Sequence, residues 1–395
     1  MKTIRLKKGK EESLQRFHPW IFSGAIASMD DTIIEGDTVL VVDSCGEPLG
    51  CGHYQPGTIA VRMLTIDGTY HLPDADFFRA RLYDALQMRL SLGLCRADNT
   101  AFRLVHGEGD NLPGLIVDVY GDTAVVQAHT AGMHHARQTI AEVLTRLPGS
   151  PIQNVYYKSE TTLPYKADLG AENRYLIKKR TPEAIAVENG LKFNIDWLKG
   201  QKTGFFVDQR DNRMLLRTLA HDRRVLNMFC YTGGFSVAAL AGGAQRVVSV
   251  DSSAKAVSLT DANVALNFPG DTRHTSAAED AFKFLEHTSP DDYDMIILDP
   301  PAFAKHRGAV RNALRGYQRL NALGLSKVAK GGLLCTFSCS QAVSREQFRL
   351  AVLSAAVQTR RDVRILHQLS QPADHPVNIY HPEGEYLKGL VLYVD

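Results

Sequence analysis

Cys339 stands between two serines, Ser338-Cys339-Ser340, at the end of the apolar run Leu333-Leu334-Cys335-Thr336-Phe337. An earlier run, Tyr293 to Leu298, stops at Asp299-Pro300-Pro301. Short apolar runs that end at a reactive or rigid residue suit strands of an open parallel sheet, where ligands bind beyond the strands' carboxyl ends. A thiol and a carboxylate delivered to that edge could face one small substrate. An ionised thiol is the strongest common nucleophile among side chains. A free cysteine is equally a small buried hydrophobe. Packing is the simpler reading for Cys335, which falls within its run. Cys230 is a weaker rival, because its strand end should face a cofactor.

A second constellation lies upstream. Arg224 to Phe229 reads as a strand that leads through Asn227-Met228-Phe229-Cys230-Tyr231-Thr232-Gly233-Gly234-Phe235-Ser236 into a helix. Glycines at such a turn let the backbone approach a ligand, and the helix N-terminus favours electron-rich groups. The next strand, Arg246 to Val250, ends at Asp251, about 20 residues after the turn, where a carboxylate can accept both hydroxyls of a ribose. Ala278-Glu279-Asp280 stands where a third strand should end, a place suited to reading an adenine amino group. The full G-x-G-x-x-G pattern is missing, which weighs against a dinucleotide pyrophosphate and so against a nicotinamide dehydrogenase. S-adenosyl-L-methionine has no phosphate and tolerates a looser loop. Gly233-Gly234 alone could only shape a turn, and Asp251 alone could only cap a helix; their order along the chain favours the cofactor.

These residues need elements to hold them. From about residue 200 strands alternate with helices, the pattern of βαβ units and a parallel sheet covered on both faces. Val363 to Leu366 and Leu387 to Val394 have no helix between them, so they must run antiparallel. Residues 1–75 read as short strands punctuated by glycine, including Asp37 to Asp43, Leu49 to Tyr54 and Ile59 to Leu64, which suits a small β-barrel. Residues 76–195 read as a small α/β connecting domain. It has a helix over 75–94, a hairpin 115–120/124–128 turned by Gly121-Asp122, a helix near 133–146, and strands near 154–157 and 191–195. A chain of 395 residues is expected to hold two or three domains.

Composition narrows the function classes. The chain is 44% hydrophobic and 22% charged with net charge +2, which argues against binding a polyanion over the whole surface. The first 20 residues carry six cations against two acids, a local basic patch. The start lacks the apolar core of a signal peptide and no run reaches membrane-span length, so a cytoplasmic protein is expected. Six scattered cysteines with no CxxC pair point to reduced thiols and no metal.

The set Asn227-to-Phe235, Asp251, Asp299-Pro300-Pro301 and Ser338-Cys339-Ser340 resembles class I S-adenosylmethionine-dependent methyltransferases. More narrowly, the chain resembles the bacterial large-subunit enzymes that make 5-methylcytosine in 23S rRNA. Gly200-Gln201-Lys202-Thr203-Gly204-Phe205-Phe206-Val207-Asp208-Gln209-Arg210 and Asp374-His375-Pro376-Val377 carry the narrower likeness. Gly36-Asp37, Leu49-Gly50-Cys51-Gly52 and the basic-aromatic start are similar to a PUA domain, an RNA-binding module. The resemblance implies an α/β fold in three domains. A PUA-like β-barrel (1–75) and the α/β connecting domain (76–195) precede a Rossmann-like class I methyltransferase domain (196–395). That last domain would have a mostly parallel seven-stranded sheet of order 3-2-1-4-5-7-6 with an antiparallel last strand.

The same resemblance implies chemistry. Cys339 would add to C6 of a cytosine so that C5 becomes nucleophilic, with Asp299 binding the base edge or assisting proton transfer. The cofactor would be held by Phe229, Tyr231, Thr232, Gly233, Gly234 and Phe235 in the loop. Asp251, Ser252, Asp280 and Asp299 would contribute at strand ends, and Gln209 and Arg210 upstream. RNA contacts are expected from Lys7, Lys8 and Arg16, from Lys202, from Pro300 and Pro301, and from Arg315, which shares a helix face with Arg311 and Arg319. Lys202, Gln209 and Arg210 could instead be a solvated or salt-bridged face, and Trp20 is expected to pack into the barrel rather than stack on a base. The expected partner is 23S rRNA, free or in an assembling large subunit, with the target base unpaired or flipped. Two alternatives stand: a methyltransferase of an exocyclic amine such as guanine N2, which needs no thiol, and a non-catalytic RNA-binding assembly protein.

Overall fold

A computed structural model of the chain describes residues 2–164, 169–170, 172–304 and 306–395. It divides into two compact units. The first comprises 1–187, 195–207 and 373–384; the second comprises 188–194, 208–372 and 385–395.

The first unit holds two sheets. The N-terminal one has six strands in the order Trp20–Phe22, Ile59–Met63, Pro48–Tyr54, Thr38–Val42, Thr3–Leu6, Ile26–Met29. Its two edge strands are consecutive in the chain, separated only by Ser23–Ala25. Three residues span no more than roughly 15 Å, so the sheet must roll to bring its edges round. Ile4, Leu6, Val39, Val41 and Val61 fill the interior. The second sheet has five strands, Arg174–Lys178, Asn154–Tyr157, Thr123–Ala128, Leu115–Tyr120 and Ala101–His106. The hairpin expected at Gly121-Asp122 is present, with Tyr120 paired to Thr123 and Gly121 at φ 59°. The helix Ala75–Ser91 buries Phe78, Leu82 and Leu86 in the core shared with that sheet. The single helix expected near 133–146 is two short ones, Ala131–His135 and Arg137–Leu144, broken at Ala136.

The second unit is built on seven strands: β1 (Arg224–Met228), β2 (Arg246–Asp251), β3 (His274–Ala278), β4 (Tyr293–Leu298), β5 (Val328–Ser338), β6 (Val363–Ser370) and β7 (Lys388–Val394). Their order is β3-β2-β1-β4-β5-β7-β6, as expected. The pairs from β3 to β5 are parallel, and β7 is antiparallel to β5 and β6. The helices are α1 (Arg210–Leu219), α2 (Gly234–Ala241), α3 (Ala254–Asn267), α4 (Ala281–His287), α5 (Val310–Lys327) and α6 (Arg345–Thr359). Leu226, Met228, Ile296, Leu298 and Leu334 form the sheet's buried side against Tyr317, Leu320 and Phe348 of α5 and α6. Strand β5 starts five residues before the expected Leu333. Its glycines do not stop the strand: Gly331, at φ 75°, lies within the register irregularity against β4.

Gly389 sits in β7 between β5 and β6, opposite Phe337 and Leu369. A Cβ there would lie 2.5 Å from Phe337 Cδ1 and 3.2 Å from Leu369 Cβ. Gly389→Ala is therefore expected to destabilise the protein by about 1–3 kcal/mol through overpacking. Urea unfolding checks this; an unchanged midpoint would contradict the packing described.

Candidate active site at the carboxyl edge of the seven-stranded sheet

The loop after β1 carries two bulky residues in left-handed backbone. Phe229 and Tyr231 have φ of 58° and 49°, and Gly233 has 78°. Left-handed backbone is unusual for a bulky residue and persists only where surroundings impose it. Here α3 imposes it: the Thr260 hydroxyl donates to Tyr231 O at 2.9 Å and Asn263 Nδ2 donates to Thr232 O at 2.9 Å. Asp251, at the end of β2, accepts from Tyr231 N at 3.0 Å and from Ser253 N at 2.9 Å. A carboxylate has about four acceptor positions, so Asp251 keeps capacity for ligand hydroxyls. Gly233 has no room for a side chain, since a Cβ would lie 2.6 Å from Thr260 Cγ2. Thr232 and Phe235 are buried here, and Ser252 is exposed. Asp280 is exposed and caps α4, accepting from Phe282 N and Lys283 N through one oxygen.

Beside this loop a carboxylate pair is held largely out of water. Burial pushes Asp299 up from 3.8 to about 7, and the charge of Asp208 adds to the effect. A hydrogen bond from Gln209 and the charge of Arg213 pull the other way. Asp208 accepts from the Tyr386 hydroxyl at 2.7 Å, yet its Oδ1 is buried with no hydrogen-bond partner among the described residues. Gln209 is fixed by Asn212, which donates to its Oε1 at 2.6 Å. Arg213 forms a bidentate, buried pair with Glu188, at 2.7 and 2.6 Å, and lies 6.0 Å from the Phe235 ring centroid. Arg210 is 2% exposed and pairs with Asp211 at 3.2 Å. Asp208, Arg213 and Glu188 were not anticipated, although Gln209 and Arg213 are four apart on α1's approach and so share a face.

Two acidic groups crowded together with one orphaned oxygen fit a ligand that brings positive charge. Gly233 is required by the packing of Thr260 against the turn. S-adenosylmethionine, with its ammonium and sulfonium centres, meets the charge condition.

Cys339 follows β5 directly, one strand over from Asp299, and is partly exposed. The rival thiols differ: burial pushes both Cys230 and Cys335 up to about 12, so they are held as neutral packing groups. The chain around Cys339 is clamped. The Ser338 hydroxyl donates to Tyr317 Oη at 2.9 Å, and Tyr317 and Ser340 hydroxyls lie 2.9 Å apart. The Lys388 ammonium, at the start of β7, donates to Ser340 O at 2.7 Å. Pro300 is buried and Pro301 exposed beside Asp299. On α5, Arg315 is exposed, while Arg319 pairs with Glu286 at 3.1 Å.

Residues 102–377 match the family described as S-adenosylmethionine-dependent methyltransferase, and residues 4–66 match a PUA-like domain. The chain belongs to the S-adenosylmethionine-dependent methyltransferases. Its cofactor is S-adenosylmethionine. Among curated relatives, it is 39% identical to "Ribosomal RNA large subunit methyltransferase I" of Tolumonas auensis, over 99% of this chain and 98% of that protein. It is 37% identical to the Escherichia coli protein of the same name, over 98% of each. A solved methyltransferase structure holding S-adenosylhomocysteine shares the fold, with a TM-score of 0.84 at 23% identity over the whole of both chains.

The remaining expected residues lie in the first unit. Lys7, Lys8, Arg16 and Lys202 are exposed, and Arg16 pairs with Glu12. Trp20 does not pack into the barrel interior. It is partly exposed, donates from Nε1 to Glu108 at 2.7 Å and meets His381 at 4.2 Å between ring centroids. Next to Arg16, Phe17 holds φ 60°, is 53% exposed as a residue, and has its ring centroid 5.1 Å from that of Tyr380. His18, His381 and Glu383 offer ligand atoms within 4.8 Å of one another. His18 Nδ1 accepts from Trp20 N at 3.2 Å, and its Nε2 lies 3.5 Å from Glu383 Oε2.

The raised Asp299 sets a stability signature. The folded protein holds this proton more tightly than the unfolded chain does, so the contribution is present in full below about pH 4 and is lost as pH rises through about 7. Asp299→Asn removes the ionisable group. Its Tm should match the parent's near pH 4 and exceed it by roughly 2–5 °C at pH 8. Calorimetry at both pH values checks this; a difference independent of pH would contradict it.

Proposed function

We propose that this protein methylates C5 of a cytosine in large-subunit ribosomal RNA, with Cys339 as the nucleophile. The observation that carries the reading is Cys339 itself: a partly exposed thiol past a strand end, on a sheet edge shared with a carboxyl group that titrates near neutrality. The printed names of the relatives and the PUA-like start support ribosomal RNA as the substrate.

C5 of cytosine is a poor nucleophile because the ring is electron-poor. Addition of the Cys339 thiolate to C6 turns C5 into an enamine-like carbon. The carboxyl of Asp299, protonated for part of the time at neutral pH, donates a hydrogen bond to the pyrimidine edge and draws charge away from the ring during that addition. The bound cofactor supplies an electrophilic methyl group. Once C5 has bonded to that methyl group, a base takes the C5 proton; the C–H electrons restore the C5–C6 double bond as the C6–sulfur bond breaks and the thiolate leaves. Pro300 and Pro301 stiffen the loop against which the base rests.

The cofactor lies along Phe229 to Phe235, with Asp251 accepting from its ribose and Asp280 and Ser252 near its base. Its positive charge is met by Asp208, whose Oδ1 has no other partner among the described residues, while Gln209 holds Asp299 in place beside it. Arg210, buried and paired with Asp211 rather than on a solvated face, stays with the cofactor-binding set beside Gln209. Domain 1–75 and Lys202 contribute RNA contacts, and Arg315 touches phosphate beside the Asp-Pro-Pro loop. Strained, exposed Phe17 offers an unpaired base a stacking face next to Arg16. A base within a duplex is out of the thiol's reach, so it must be flipped, at a cost of a few kcal/mol.

Deletion of the gene should remove one 5-methylcytosine from 23S rRNA, and Cys339→Ala should fail to restore it while parent protein does. Bisulfite or mass-spectrometric mapping reads the outcome. Full rescue by Cys339→Ala with a methylated exocyclic amine would replace this reading with amine chemistry. Phe17→Ala with Tyr380→Ala is expected to raise KM for RNA about tenfold and leave cofactor affinity unchanged.

A further inference from the structure

We propose that Lys388 is a positioning residue for Cys339: its ammonium pins the chain that follows the thiol and sets a positive charge against it. This rests on the reading of Cys339 as the nucleophile.

Lys388 is 4% exposed, and it is the first residue of β7, paired with Ser338 across the sheet. Burying an ammonium is costly unless its hydrogens are satisfied. Two of its three donors go to Ser340 O and Val343 O. Those carbonyls bracket the turn that begins one residue after Cys339, so a single side chain fixes both ends of the segment leaving the thiol. An apolar residue would fill the same space at lower desolvation cost but could not hold two carbonyls.

The charges facing Lys388 are few. Burial lowers it to about 8; the Cys339 thiolate and Glu385 favour its charged form, and Arg345 opposes it. Arg345 and Glu385 form an ion pair with each other and so largely offset. Cys339 is the remaining partner. Among the described residues, Tyr317 also faces Cys339, and burial raises its pKa so that it stays neutral. The cation that Lys388 brings to the thiol favours its ionised form.

The test follows iodoacetamide alkylation of Cys339 in the full-length protein, by mass spectrometry of its peptide, from pH 6 to 10. Lys388→Met is expected to slow alkylation at pH 7 about tenfold and raise the midpoint by about one pH unit, while Lys388→Arg stays within about threefold of the parent. The kcat for methyl transfer should fall with the alkylation rate, and KM for S-adenosylmethionine should not. An unchanged midpoint in a folded Lys388→Met protein overturns the proposal. If Lys388→Met does not fold, Cys339→Ser gives the reciprocal measurement: the NMR titration midpoint of Lys388 should fall, and a midpoint that stays put overturns the proposal equally. Alkylation needs no RNA, so a normal Lys388 effect without any RNA adduct would sink the cytosine reading and leave the coupling intact.

Discussion

Polar groups gathered on a sheltered sheet edge must be paired by the protein or by what it binds. That constraint governs the second unit. Parallel strands β1, β2, β4 and β5 bring Phe229, Asp251, Asp299 and Cys339 to one edge, where water is scarce and charge is costly. The protein answers part of the demand itself. Glu188 neutralises Arg213, Tyr386 donates to Asp208, and Lys388 is shared between two carbonyls. Among the described residues of this edge, one oxygen of Asp208 stays without a partner, and burial makes Asp299 hold its proton more tightly. A cationic ligand would supply the partner that Asp208 lacks.

The same edge stores strain. Phe229 and Tyr231 in left-handed backbone cost on the order of 1–3 kcal/mol each. The side chains of Thr260 and Asn263 hold them there through hydrogen bonds to the loop's carbonyls. A loop fixed before the ligand arrives loses little entropy on binding. The segment after Cys339 is built on the same principle, with Tyr317 on one side and Lys388 on the other. The glycine loop and the chain around Cys339 are thus both set by side chains from neighbouring helices and strands rather than by their own residues.

Much of this was legible in the sequence because it follows from local rules. The alternation of apolar runs and helical stretches after residue 200 predicts the parallel sheet, and the lack of a helix before Leu387 predicts its antiparallel end. Asp251, Asp299 and Cys339 were visible because each terminates an apolar run. The residues without a local signal act over long sequence distances. Lys388 and Tyr317 reach Cys339's neighbours from 48 and 23 residues away, and Glu188 meets Arg213 across 25. The short strand Thr3–Leu6 was hidden among cations, since pairing with Thr38–Val42 decides it rather than its own pattern. Trp20 follows the same rule: its hydrogen-bond partner, Glu108, lies 88 residues on, beyond the reach of the local pattern.

The central claim is a transient bond between the sulfur of Cys339 and C6 of a pyrimidine. It is tested most directly with ribosomal RNA containing 5-fluorocytidine, incubated with protein and S-adenosylmethionine, digested, and sequenced by mass spectrometry. The account predicts one peptide–nucleotide adduct, on residue 339, that depends on the cofactor. Adduct on another cysteine, or none while unmodified cytidine RNA is methylated normally, would contradict it.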